Sequence, residues 1–225
     1  MTFSIVARCA QSGQFGVAIS SSSPAVAARC ARARAGIGAV SSQNVTNPEL
    51  GTVMLDRMAA GAGAAEAVAA ARDGDAHPDY RQLLAIDATG ATSVHSGPKA
   101  LGLWTAAAGR DCAAGGNMLA SDGIPAAMVA AFEAAEGALG DRLIAAMTAG
   151  LAAGGEAGPV HSAGLLVVDE QSWPYADLRV DWLDGACPIA ALAELWALYR
   201  PQADDYVTRA LNPGAAPSYG VPGDD

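Results

Sequence analysis

The chain has 225 residues, of which 52% are hydrophobic, and its 13 basic and 23 acidic residues give a formal net charge of -10. A chain of this length and composition can bury one sizeable core, so we expect one main domain. The acidic balance, with no basic cluster beyond Arg29, Arg32 and Arg34, argues against nucleic acid and anionic membranes as partners.

Export and membrane signals are also missing from the sequence pattern. The N-terminus has no basic leader followed by an apolar stretch of signal length, and no uninterrupted apolar segment approaches membrane-spanning length. The cysteines form no Cys-x-x-Cys pair and are typical of small core residues that stay reduced: Cys9, Cys30, Cys112 and Cys187. These features predict a soluble cytoplasmic protein.

The first predicted element is an N-terminal β-hairpin. Strand-like segments at Thr2 to Arg8 and Phe15 to Ser20 flank a short polar link that contains a glycine. A polar serine run and an Ala/Arg segment follow, and Gly36 to Gln43 alternates well enough to predict another strand.

Two helix pairs are predicted in the rest of the chain, separated by strands. Asn47-Pro48 is a typical helix start, because asparagine can cap free amides and proline suits the first helical position. The helix that follows ends before Gly61, and the further predicted helices are Ala64 to Arg72, Ile124 to Ala135, Arg142 to Ala153 and Ile189 to Tyr199. The predicted strands are Arg81 to Asp87, Ala91 to Ser96, one or two within Trp104 to Leu119, Ala163 to Asp169 and Ala176 to Trp182.

This order of elements does not fit the strict alternation of a parallel α/β fold. It predicts an α+β fold, a four-layer αββα sandwich of two antiparallel sheets flanked by helix pairs. Residues 1–200 would form this domain. Residues 201–225 are rich in proline, glycine and aspartate, so we predict a loosely ordered C-terminal tail there.

Thr2 is the strongest candidate for a catalytic residue. Methionine is normally trimmed when the next side chain is small, and removal of Met1 would leave Thr2 with both a hydroxyl and a free α-amine. A free α-amine has an ordinary pKa of about 7.7–8.0, so near neutrality it can accept the hydroxyl proton. Threonine is also a common second residue and a good strand former, so a purely structural Thr2 stays open.

An attacking hydroxyl also needs hydrogen-bond donors for the oxyanion that forms on the substrate carbonyl. Gln43, Asn44 and Asn47 lie where a predicted strand ends, and Asn117 follows two glycines. Each amide is a candidate donor, although Asn47 can equally cap a helix and Asn117 can equally be a turn residue. The serines from Ser20 to Ser23 can place a hydroxyl beside Thr2, because the hairpin partner strand lies across from the first strand.

Two arginines lie within strand-like patterns, where a guanidinium needs a carboxylate partner. Asp177 and Asp181 lie on the same strand face as Arg179 and can supply one. For Arg179 and Arg81 a structural ion pair is favoured over a clamp for a substrate carboxylate, and both stay open. The histidines show no metal-ligand spacing, so no metal and no cofactor is predicted.

The chain resembles the domain of unknown function 1028 family over nearly its whole length. The matching segments are 1–8, 33–40, 80–83, 116–119, 162–168 and 177–181. That family is similar in fold to the N-terminal nucleophile hydrolases, whose αββα sandwich agrees with the element order. The resemblance implies that Thr2 is the mature nucleophile and that the pocket is formed by Gln43, Asn47, Arg81, Gln82, Asn117 and Arg179.

We therefore predict an amide hydrolase that acts on a small-molecule substrate, with Thr2 and Asn117 as catalytic residues. The substrate-binding residues would be Gln43, Asn47, Arg81, Gln82 and Arg179. The alternative is a noncatalytic metabolite-binding or scaffold protein with the same fold. A homo-oligomer is plausible in either case, because the helices are rich in alanine.

Overall fold

A computed structural model describes residues 1–223. The strands, in chain order, are β1 (Thr2–Arg8), β2 (Phe15–Ser21), β3 (Ala31–Arg34), β4 (Gly38–Asn44), β5 (Arg81–Asp87), β6 (Thr92–Ser96), β7 (Thr105–Gly109), β8 (Cys112–Asn117), β9 (Ser162–Val168) and β10 (Pro174–Val180). The helices are α1 (Val26–Cys30), α2 (Glu49–Ala59), α3 (Ala64–Gly74), α4 (Ile124–Ala134), α5 (Leu139–Ala152), α6 (Pro188–Tyr199) and α7 (Ala203–Leu211).

The strands form two antiparallel sheets. The larger sheet has six strands in the order β10-β9-β2-β1-β8-β7, and the smaller sheet has four in the order β3-β4-β5-β6. The sheets pack face to face through β1, β2 and β8 on one side and β4 and β5 on the other, while α4 and α5 cover the larger sheet and α2 and α3 cover the smaller one. The predicted α+β class and αββα layering are confirmed.

Three apolar layers stabilise this sandwich. The side chains of β1 alternate between two of these layers. Phe3, Ile5 and Ala7 pack into the layer formed with α4 and α5, whereas Val6 belongs to the layer between the two sheets. Because successive side chains of a strand point to opposite faces, Thr2 and Ser4 share the inter-sheet face with Val6. The fold therefore places Thr2 at the start of the central strand and directs its side chain between the sheets.

Short elements account for the differences from the sequence prediction. The Ala/Arg segment, which has no predicted element, forms α1 and β3, and α1 begins after Ala25 in a left-handed conformation with φ of 51°. A helix of five residues is too short to show a helical period, so the sequence pattern could not reveal it.

The segment 201–225, for which the sequence predicts a loosely ordered tail, contains helix α7. Ala203 is fully buried, and the hydroxyl of Tyr175 donates to Asp204 Oδ1 at 2.9 Å. Asp204 and Asp205 lie in the first turn of α7, where their negative charges suit the positive N-terminal end of a helix. From composition alone, these residues are typical of a tail. The last two residues of the predicted tail lie outside the described part of the chain.

Gly140 on α5 packs closely against Trp196 on α6. A Cβ atom added to Gly140 would lie 2.4 Å from Cζ2 of Trp196, a buried ring whose Nε1 donates to Asp141 Oδ1 at 2.8 Å. We expect Gly140→Ala to lower the free energy of unfolding by about 1–3 kcal/mol, because the added methyl overpacks the helix contact. Urea denaturation measures this loss.

Gly74→Ala is the matched control, because Gly74 ends α3 and a Cβ atom there meets nothing within 4 Å. The control should be neutral or slightly more stable than the wild type. Equal unfolding free energies for the two variants would contradict the close contact of α5 with Trp196.

In the region from residue 1 to residue 223, no helix is both long and apolar enough to cross a membrane.

Candidate active site

Thr2 lies between two strands that both contribute polar side chains. β1 pairs with β8 so that Thr2 is directly opposite Asn117, and it pairs with β2 so that Phe3 is opposite Ser20. The next residue of β2 is Ser21, whose Oγ lies 3.4 Å from Thr2 Oγ1. Only 5% of the surface of Thr2 is exposed. The hairpin thus places a second hydroxyl beside the candidate nucleophile.

The hydroxyl groups at this end of β1 share one acceptor. Thr2 Oγ1 and Ser21 Oγ both donate to the backbone carbonyl oxygen of Met1. Ser21 Oγ also lies 2.9 Å from Ser23 Oγ, to which Arg29 Nη2 donates at 2.8 Å. The Met1 carbonyl oxygen therefore occupies the position toward which the Thr2 and Ser21 hydroxyls point. The Arg29 guanidinium lies at the other end of this hydrogen-bonded series.

A buried amide network connects this end of β1 with the smaller sheet. Gln43 Nε2 donates to Gln82 Oε1 at 2.8 Å, and Asn117 Nδ2 donates to the same oxygen at 3.3 Å. Gln43 Oε1 accepts from Ser4 Oγ at 2.6 Å and from Ser41 Oγ at 3.0 Å. All five side chains are buried. The structure thus brings together three of the predicted site residues, Gln43, Gln82 and Asn117, beside Thr2.

Two buried acceptor atoms near the start of β1 have no hydrogen-bond partner in the described part of the chain. They are Asn117 Oδ1 and Glu156 Oε1. A buried acceptor without a donor costs about 1–3 kcal/mol, so both atoms favour a neighbouring N–H or ammonium group. Both atoms are consequently open to a further hydrogen-bond donor.

Glu156 is a residue that the sequence analysis missed. It forms an isolated bridge with Leu119, and its Oε2 accepts from the backbone N–H of Ser22 at 3.1 Å. Burial raises the pKa of Glu156 to about 7, and the N-terminal amine and the contact with Ser22 oppose this rise. A lone glutamate after two glycines carries no periodic signal, so only the fold reveals its position.

The backbone beside Asn117 is strained. Met118 has a φ of 51°, in the left-handed region that favours glycine. Its N–H donates to the carbonyl of Leu101 at 2.9 Å, and its carbonyl accepts from Ala157 at 2.9 Å. Such a conformation costs on the order of 1–3 kcal/mol and persists because the surrounding structure maintains it.

Arg81 and Asn47 lie on the other face of the smaller sheet. Arg81 neighbours Gln82 on β5, so its side chain points away from the inter-sheet layer. Arg81 Nε lies 2.6 Å from Asp75 Oδ2, and this hydrogen bond lowers the pKa of Asp75, to which the Asn47 side chain also contributes. Asn47 Oδ1 accepts from the backbone N–H of Glu49 at 3.2 Å. These two residues form one cluster with Asp75, apart from Thr2.

Arg179 is also distant from Thr2. It lies on β10, which two intervening strands separate from β1, so three strand spacings give a distance of about 14 Å. Its Nη2 lies 3.0 Å from Asp181 Oδ2, and both side chains are largely exposed. Over the described residues 1–223, no three histidine, cysteine, aspartate or glutamate side chains come together as a possible metal site.

The fold and site define an αββα protein with a buried hydroxyl residue at the start of its central strand. The chain belongs to the family of unknown function DUF1028, whose model matches residues 2–192. The crystal structure of protein SPO2555 from Silicibacter pomeroyi, which has the same family designation, is similar with a TM-score of 0.84 and 28% identity, over 91% of this chain and 89% of that chain.

Anbu (ancestral beta-subunit) from Yersinia bercovieri aligns over 91% of this chain and 97% of its own chain. Its TM-score of 0.39 and identity of 10% are too low to carry an argument. No curated protein matches the sequence.

Proposed function

We propose that this protein is an amide hydrolase for a small-molecule substrate and that Thr2 is its nucleophile once Met1 has been removed. One observation carries the proposal: the hydroxyls of Thr2 and Ser21 converge on the Met1 carbonyl oxygen. Removal of Met1 takes away this acceptor and leaves both hydroxyls directed at a position that a substrate carbonyl can occupy. The resemblance of the sequence to the domain of unknown function 1028 family, which is similar in fold to the N-terminal nucleophile hydrolases, supports the same assignment.

The base in this proposal is the α-amine of Thr2 itself. It is covalently attached to the nucleophile, so no histidine or carboxylate is needed to accept the hydroxyl proton. Asn117 lies opposite Thr2 on β8, and its buried Oδ1 has no donor within the described residues. We assign this oxygen the role of accepting from the α-amine and orienting it toward Thr2 Oγ1.

The reaction proceeds in two halves that balance. Thr2 Oγ1 bonds to the amide carbon of the substrate while its proton passes to the α-amine. The carbon–nitrogen bond then breaks as this proton passes to the departing amine, which leaves an acyl ester on Thr2. Water attacks the ester with the same amine as base, releases the carboxylic acid and restores the hydroxyl.

The oxyanion formed in each half needs a donor, and the Asn117 N–H that Gln82 does not use is our candidate. Loss of one such donor typically costs about 2.7–4 kcal/mol of transition-state stabilisation. Gln43 and Gln82 fit a positioning role, because Gln82 Oε1 accepts from both Gln43 and Asn117. Substrate contacts by Asn47, Arg81 and Arg179 stay predictions.

Two forms of the same protein test the proposal. In the first form a cleavable leader is cut to leave Thr2 as the first residue, and in the second it is cut to leave Met1 before Thr2; intact mass verifies each form. We expect only the Thr2-first form to hydrolyse members of a panel of small amides, because only that form has the free α-amine.

Equal turnover by both forms would contradict the role of the α-amine. Absence of turnover in both forms, together with equal binding of a small ligand, would favour the noncatalytic alternative.

A further inference from the structure

A cavity of about 410 Å³ lies beside Glu156, between the end of α5 and the loop that leads into α6. The residues that line it include Leu151, Glu156, Gly158, His161, Leu183 and Cys187. Glu156 is only 5% exposed, and its Oε1 lacks a hydrogen-bond partner among the described residues. The cavity thus combines a largely apolar wall with one buried carboxylate that has a free acceptor atom.

No lysine or arginine side chain beside the cavity neutralises the Glu156 carboxylate. None of the residues lining the cavity is lysine or arginine. His161 Nδ1 lies 3.2 Å from Asp184 Oδ1, and its ring stacks on Trp182 with centroids 4.3 Å apart, so His161 is already engaged. Among the described residues, the N-terminal amine of Met1 is the positive group that acts on Glu156, and it favours the charged form of the carboxyl.

Met1 stands between this cavity and Thr2. A Cβ atom added to Gly158, which lines the cavity, would lie 3.1 Å from Met1 Cε. Removal of Met1 therefore takes away both the side chain beside Gly158 and the amine that faces Glu156. The cavity then extends toward Thr2, whose α-amine becomes the N-terminal amine and is assigned above to Asn117 Oδ1, so the place of the Met1 amine facing Glu156 is left open.

We propose that this cavity binds the ammonium group of a small organic cation and that the Glu156 carboxylate is its counter-ion. A buried carboxylate is stable when a cation is paired with it and donates to it, and an ammonium group supplies both charge and donors. The apolar wall suits the carbon chain that carries the ammonium. Identification of this cation as the amine-bearing end of the substrate rests on the proposed function, whereas the binding site does not.

The direction in which ammonium binding changes with pH follows from the ionisation of Glu156. Its pKa of about 7 means that the group is largely a neutral acid at lower pH and a carboxylate at higher pH. Ammonium binding should therefore strengthen as the pH rises and Glu156 loses its proton, and then level off. The other titratable or charged groups facing the cavity are the N-terminal amine, His161 with Asp184, and Cys187.

The test is an NMR titration of the Thr2-first protein with n-butylammonium, and with n-butanol as the uncharged probe of similar shape. We expect a dissociation constant of millimolar order for the cation, as is usual for so small a ligand. Glu156→Gln should weaken cation binding about tenfold or more, because a charged hydrogen-bond partner is lost. Glu66→Gln, an exposed change on α3, should leave it unchanged.

Two further measurements keep the test decisive if Glu156→Gln does not fold. Ala186→Trp alters an exposed residue of the cavity lining and should weaken binding by obstruction. The wild-type pH series should show affinity for the cation rising with pH as Glu156 loses its proton.

Unchanged affinity in Glu156→Gln, or equal binding of n-butanol, would overturn the proposal. If Glu156→Gln does not fold, affinity that does not change with pH, together with unchanged affinity in Ala186→Trp, would overturn the proposal. None of these outcomes depends on turnover, so failure of the ammonium site and failure of the hydrolase proposal are distinguishable.

Discussion

Thr2→Ala in the Thr2-first form is expected to lower kcat by at least about a thousandfold for any amide that the wild type hydrolyses. Alanine keeps the free α-amine and the strand pairing of β1, but it removes the oxygen that would form the acyl ester. Thr2→Ser keeps the hydroxyl and should retain part of the activity, because only the β-branch that restricts the rotamer is lost.

A control for this prediction is Thr148→Ala, which removes an exposed hydroxyl on α5 whose Oγ1 donates within its own helix. That variant should hydrolyse the same amide at the wild-type rate. Turnover by Thr2→Ala within about tenfold of the wild type would show that another group performs the attack. Steady-state kinetics with each variant, verified by intact mass, decides between these outcomes.

Gln43→Leu is expected to lower the free energy of unfolding by about 3–5 kcal/mol. Gln43 Oε1 accepts from two buried serine hydroxyls, and its Nε2 donates to the buried Gln82 Oε1. Leucine has a similar size but can make none of these bonds, so several buried polar groups lose a partner together. Each such group costs about 1–3 kcal/mol, and the serines can recover only part of this by turning toward each other.

Urea denaturation of Gln43→Leu measures this loss, with Gln11→Leu as the matched change. Gln11 is exposed in the link between β1 and β2, so its replacement should alter stability by less than about 0.5 kcal/mol. A comparably small loss for Gln43→Leu would mean that the inter-sheet amide network does not stabilise the fold.

Strand and helix periods explain why most of the fold was predictable from the sequence. The strand-like segment from Thr2 to Arg8 and the helix predicted before Gly61 correspond directly to β1 and α2. The short elements α1 and β3 lie in the Ala/Arg segment, where alanine has no strong preference for one face. Helix α7 was missed because its composition resembles that of a tail, and only its packing against β10 reveals it.

Part of the candidate site follows from the alternation of successive side chains between the two faces of a strand. Gln43, Gln82 and Asn117 meet beside Thr2 near the ends of paired strands. The predicted strand end indicates Gln43 and the position after two glycines indicates Asn117, whereas only the family resemblance indicates Gln82. Arg81 is next to Gln82 on β5, so this alternation directs the Arg81 side chain to the opposite face of the smaller sheet. Glu156 could not be found in this way, because it lies in a glycine-rich loop whose path depends on the complete fold.

Acyl labelling most directly tests whether Thr2 is an N-terminal nucleophile. The protein purified from expression of the unmodified chain is treated with p-nitrophenyl acetate, quenched in acid, and mapped by peptide mass spectrometry. Thr2→Ala, which has the same free amine without the hydroxyl, measures direct acylation of the amine. This role of Thr2 predicts a chain that lacks Met1 and acquires the acetyl group on Thr2 much faster than Thr2→Ala acquires it on Ala. A chain that keeps Met1, or an acetyl group on Ser21 or elsewhere with none on Thr2, would contradict it.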